Sequence, residues 1–125
     1  MSEHALHVAV AAYLRVALRP PTMWTTIGHG GGGRVRGAML KAAGVQPGWP
    51  DLLVIHHDEA GHRVLGIELK RKGGGRQSPA QREVEHAFHM AKCWYVLCRS
   101  VEEVENALRY VGIPVRATAR MRMAA

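Results

Sequence analysis

The chain is short of several things. Its 125 residues include two aspartates, two cysteines and no apolar run of membrane-spanning length. Without about 20 consecutive apolar residues there is no candidate transmembrane helix. The opening MSEHALHVAV lacks a charged segment followed by an apolar stretch and a cleavage site, so a soluble cytoplasmic protein is expected. Cys93 and Cys98 lie five apart in one apparent strand and point to opposite faces, which argues against a local disulfide; they read as buried thiols in a reducing compartment. Neither glycine-rich run has the G-x-x-x-x-G-K-[ST] spacing of a phosphate-binding loop. Eight histidines are present, but no Cys or His set has the spacing of a structural zinc site, and His56, His57 and His62 read as a polar loop. No internal repeat or composition boundary appears. A single domain over 1–125 is expected, with 113–125 a flexible basic tail.

Basic charge, by contrast, is in excess. Seventeen Lys and Arg stand against ten Asp and Glu, a formal +7 with a pI near 10.1, which favours a polyanionic partner, most often nucleic acid.

Leu6, Val10, Tyr13 or Leu14, and Ala17 recur at helical spacing over 3–18, and Pro20 and Pro21 end that helix. MWTTI at 23–27 reads as a strand. GHGGGGRVRG at 28–37 reads as a flexible loop carrying Arg34 and Arg36, followed by a short helical turn at 38–43. DLLVIHH, the polar tip DEAG and HRVLGIELK make an antiparallel hairpin. SPAQREVEHAFHMAK opens a helix with Ser78 at the N-cap, Pro79 at the first helical position and Gln81 at the third. CWYVLC reads as a buried strand, and Ser100 with Glu103 caps a last helix ending near Gly112. This order predicts an α/β fold with a mixed sheet flanked by helices. Trp24, Trp49 and Trp94 read as core or turn-packing residues rather than base-stacking platforms.

A hairpin closing at Glu59 and Ala60 sets Asp51 opposite Glu68 on one face, with Lys70 one step further along it. Two carboxylates facing each other across a strand pair repel. A divalent cation on oxygen ligands offsets that cost; Mg²⁺ binds through one or two carboxylates and engages phosphate. Lys70 beside it can stabilise charge on a phosphate. By itself the E-x-K triplet fits an ordinary amphipathic edge strand. Asp51, preceded by Gly48 and Pro50 and at hairpin distance, gives it chemical meaning.

GWPDLLV, IELK and SPAQ together resemble the PD-(D/E)xK nucleases, and within them the small stand-alone VRR-NUC domains of phages and bacteria. The resemblance spans about residues 3–112. It implies a restriction-endonuclease-like core and a Mg²⁺- or Mn²⁺-dependent endonuclease, often a homodimer, in a bacterium or phage-infected cell. Some such nucleases cut branched DNA such as Holliday junctions, and a helicase or other replication partner can supply targeting. It also implies that Asp51 and Glu68 are metal ligands, with the Leu69 carbonyl a further one, that Lys70 is the catalytic lysine, and that Gln81 and Glu3 complete the catalytic set. His7 stands where many relatives have glutamine.

Gln81 has an equal alternative as a capping-box residue bonded back to Ser78. Arg34, Arg36, Lys72 and Arg76, beside the glycine-rich runs, are candidate contacts to a DNA backbone; the alternative is mobile connectors with solvated charges. His29 can contact phosphate in the first run. No recognition helix for base readout is visible. The competing functional class is a DNA-binding module that is non-catalytic or works only with a partner.

Overall fold

The computed structural model describes residues 1–27 and 33–119. Helix α1 (Glu3–Ala17) starts where the Ser2 side chain accepts from the Ala5 N–H, and it buries Leu6, Val10, Tyr13, Leu14 and Ala17 on one stripe. The chain continues through β1 (Met23–Thr26), α2 (Gly33–Ala42), β2 (Leu52–Asp58), β3 (Gly61–Leu69), α3 (Pro79–Met90), β4 (Trp94–Cys98) and α4 (Val101–Val111). The four strands lie in sequence order in one sheet. β1, β2 and β3 are antiparallel, and the crossover through α3 makes β4 parallel to β3.

Register follows the expected hairpin: Leu52 pairs with Ile67, Val54 with Leu65 and Asp58 with Gly61. Leu52, Val54, Leu65, Ile67 and Leu69 form the core with α1 and α4, whose Val101, Val104, Leu108 and Val111 repeat at helical spacing. On the other face of β3, Gly66 leaves room for Pro50 and Phe88: a Cβ there would lie 2.6 Å and 2.7 Å from their side-chain carbons. β3 is therefore covered on both sides, and Leu65 through Leu69 are all buried.

Four expectations change. The chain forms a ten-residue helix α2 where only a turn over 38–43 is expected, so Arg34 and Arg36 sit on a helix and not in a loop. The helix formers Ala38, Met39, Leu40 and Lys41 carry the pitch back through Gly37, each glycine costing about 1 kcal/mol relative to alanine. Residues 28–32, including His29, lie outside the described residues.

Residues 113–119 are no free tail. Ile113 and Ala119 are buried, the Tyr13 hydroxyl donates to the Ala117 carbonyl at 2.8 Å, and the Arg116 N–H donates to Ala17 at 2.8 Å. Ile113, Val115 and Ala117 give this segment apolar area to bury, which the basic composition of the whole tail obscures. The rest of the expected tail, 120–125, lies outside the described residues.

β4 is an edge strand, and only Cys98 on it is buried; Trp94 is half-exposed and meets Tyr110 edge-on. Burial pushes the Cys98 thiol up to about 12, whereas Cys93 lies just before the strand and is only partly covered. The histidines are strand residues: His56 is buried, and the rings of His57 and His62 lie 4.2 Å apart across the ladder.

Candidate active site

The turn before β2 presents Asp51. Gly48 there has φ +89, and a Cβ on it would lie 2.3 Å from the Ala80 carbonyl oxygen, so only glycine lets the turn rest on the start of α3. Trp49 then packs edge-on against Phe88, and Pro50 fills the space above Gly66. Asp51 is fixed at the base of the hairpin, where its Oδ2 accepts the Leu69 N–H at 2.7 Å.

Facing it is Glu68, buried and within hydrogen-bonding reach of the Asp51 carboxyl. Burial first, and then the Asp51 charge, push Glu68 up to about 8; Lys70 pulls the other way, and Glu3 adds a small upward push. The Lys70 ammonium is 3.7 Å from Glu68 Oε2 and is itself largely covered. One cation thus faces two carboxylates in a partly buried setting. That imbalance needs either a proton, which the raised Glu68 would hold, or a second positive charge.

The donor set suits a hard divalent cation: two carboxylates, one of whose oxygens is already oriented by a backbone amide. Among the described residues no group of three or more His, Cys, Asp or Glu converges, so side chains would contribute two ligands at most and main-chain oxygen or water the rest. The Leu69 contact that the structure places here is its N–H on Asp51, not its carbonyl.

The remaining candidates fall into two groups. Glu3 opens α1 close enough for its charge to be felt at Glu68. Gln81 closes a capping box, its Oε1 accepting the Ser78 N–H at 2.8 Å while its own N–H donates to Ser78 Oγ at 3.1 Å. Lys72 and Arg76 are exposed on the loop leaving β3, and Arg34 and Arg36 stand apart on α2. His7 bonds Thr26 Oγ1 at 3.1 Å.

Three residues that sequence reasoning missed line the α3 side. The Tyr95 hydroxyl donates to the Gly48 carbonyl at 3.4 Å, and burial together with the Glu68 charge pushes it well above the usual phenol value. Gln77 Nε2 donates to Glu85 Oε1 at 3.0 Å, and Gln77 also bonds Tyr95. The signals were spacing: Glu85 is one turn beyond Gln81, and Tyr95 pairs with Gly66, two residues before Glu68.

No family profile and no curated protein matches the chain. A solved structure described as a VRR_NUC domain protein is similar to it, with a TM-score of 0.65 and 20% sequence identity over 90% of this chain and 88% of the other.

Proposed function

From the fold that this chain shares with a VRR_NUC domain protein, we propose that it is a divalent-metal-dependent DNA endonuclease with its site at the base of the β2–β3 hairpin. The observation that carries the reading is the buried Glu68 set against Asp51, with the Lys70 ammonium 3.7 Å from it. A DNA-binding surface without catalysis has no use for two carboxylates beside a phosphate.

Asp51 and Glu68 would hold Mg²⁺ or Mn²⁺, with the Leu69 carbonyl as a further oxygen. When bound, the ion supplies Lewis-acid polarisation of the phosphoryl oxygens and a water of lowered pKa. The protein's own residues do the rest. Lys70 places positive charge where the phosphoryl group gains negative charge. Leu69 N–H keeps the Asp51 carboxylate in one orientation. Glu3 adds negative charge near Glu68 and strengthens the pull on a cation. Gln81 positions Asp51 indirectly, because its capping box fixes the start of α3 on which the Gly48 turn rests. Exposed Lys72 and Arg76, with Arg34 and Arg36, would bind the sugar–phosphate backbone.

The substrate is proposed to be branched DNA such as a four-way junction, cut by a homodimer. Two unpartnered apolar surfaces support the dimer. The α2 helix leaves Val35 and Met39 exposed, and a groove of about 560 Å³ beside α3 is lined by Trp49, Leu53, Val64, Val84 and Phe88. The convex stripe of one copy suits the groove of another. Sedimentation of Met39→Asp against wild type tests this, with a monomeric variant expected; no shift in either direction would count against it.

The activity test is cleavage of labelled four-way junction, flap and plain duplex DNA with Mg²⁺, Mn²⁺ or chelator, alongside Lys70→Ala. Metal-dependent cutting that the variant loses is expected. Tight binding with no cutting under any metal would instead make the chain a DNA-binding module or a nuclease that needs a partner.

A further inference from the structure

A second pocket adjoins the hairpin base on the other side of Lys70. It lies at the carboxyl ends of the parallel strands β3 and β4, a cavity of about 260 Å³ closed by the starts of α1 and α4. Its floor is Leu6, Ala9 and Val101, and its mouth carries Arg71, Lys72 and Glu102. The two cations directly follow Lys70 in the chain, and Met1 and Leu6, which flank Glu3, are also in the wall. Pocket and carboxylates therefore share one end of the sheet.

The chemistry of the walls selects a ligand. Neither Arg71 nor Lys72 has a side-chain ion pair or hydrogen-bond partner among the described residues, so both are available to an anion. Arg99 is not available. Its Nη1 and Nη2 donate to the carbonyls of Arg71 at 2.9 Å and Gly75 at 3.1 Å, which fixes the loop that shapes the mouth. A bare phosphate fits poorly: Glu102 and Glu103 put negative charge on the first turn of α4, and Ser100 Oγ already takes the Glu103 N–H. A purely apolar group would leave the cations unused. A nucleobase joined to its phosphate satisfies all three features. Its ring lies on the aliphatic floor, an amino group on its edge donates to Glu102, and the phosphate meets Arg71 and Lys72.

We propose that this pocket receives one unpaired nucleotide of the DNA strand that crosses the Asp51, Glu68 and Lys70 site. The proposal rests on the nuclease reading and deepens it by naming what the protein selects. A base in an intact duplex is stacked and paired and cannot enter; a base at a flap, gap or junction can. The protein's own shape thereby prefers DNA with unpaired nucleotides next to the bond it cuts, without a recognition helix.

The test uses the full chain in chelator, so that nothing is cut, and flap DNA with 2-aminopurine at the unpaired position. Wild-type protein changes the probe's fluorescence and binds the flap more tightly than the matched duplex. Ala9→Phe, which fills the floor, lowers that affinity ratio by about tenfold, the scale of one lost base-stacking contact, and abolishes the fluorescence change. Glu102→Ala lowers the ratio by a smaller factor, and because the residue is exposed it also decides the matter should Ala9→Phe fail to fold. An unchanged ratio and signal in Glu102→Ala and in folded Ala9→Phe overturn the pocket. Cleavage with Mn²⁺, measured separately, keeps the two readings apart: cutting with unaltered selection defeats the pocket alone, and selection without cutting defeats the nuclease alone.

Discussion

The two aspartates of the chain sit at opposite ends of one hairpin. At the tip, Asp58 accepts the Ala60 N–H at 2.9 Å, pairs with Arg63 and meets His56 Nε2 at 3.1 Å, while His56 Nδ1 bonds Thr22 Oγ1 at 2.7 Å. Desolvation there opposes ionisation, yet the Ala60 amide, Arg63 and His56 outweigh it and hold Asp58 below its ordinary value. Among the described residues, Arg63 Nε is left as a buried donor without a partner. At the base, Asp51 and Glu68 face each other with a single lysine nearby, and Glu68 is pushed the opposite way, up to about 8. One end is a closed polar network that ties β1 to the hairpin. The other is held short of positive charge by its own fold, and that shortage marks it as a place for a cation and a phosphate.

The largest effect expected from breaking this contrast is on activity. Asp51→Ala and Lys70→Ala should each reduce metal-dependent cleavage by about 10³-fold or more with circular dichroism unchanged, whereas Asp58→Ala should cut at nearly the wild-type rate. A kinetic comparison of the three variants shows whether the two ends are as different as their charges.

Stability should divide the other way. His56→Ala strands the buried Thr22 hydroxyl and empties core volume, and denaturant unfolding should show a loss of about 2–3 kcal/mol without altered metal dependence.

The pH dependence comes next. Glu68 holds its proton more tightly folded than unfolded, so in chelator this group makes stability fall as pH rises from about 4.5 to about 8. Melting temperature should drop across that window by about 5 °C, and Mn²⁺ should restore it at the alkaline end. Glu68→Gln, which cannot ionise, should melt higher than wild type at pH 8 in chelator and gain nothing from Mn²⁺. The smallest effect belongs to Gln81→Ala, about 0.5–1 kcal/mol from the lost capping box. A large loss of cleavage with unchanged stability would instead place that side chain on the substrate.

The residues that were legible in the sequence obey short-range rules. Period-two alternation and the DEAG tip fix the register that brings Asp51 to Glu68, and Ser78 with Gln81 fixes the start of α3. What stayed hidden depends on distant partners. Nothing local says that Ile113 and Ala119 dock against α1 and α4, or that the edge position of β4 leaves Trp94 half-exposed. His56 looked like part of a polar loop because its partner Thr22 is 34 residues away. Tyr95 joined the site only once the parallel pairing of β3 with β4 was known.

The central claim is that the hairpin base takes a divalent cation in place of the proton on Glu68. Calorimetric titration of Mn²⁺ into wild type and Glu68→Gln at pH 7, repeated in two buffers of different ionisation heat, measures both the binding and the protons released. The account predicts binding by wild type with net proton release, and loss of both in the variant. Equal binding by the two proteins, or binding by neither, would contradict it.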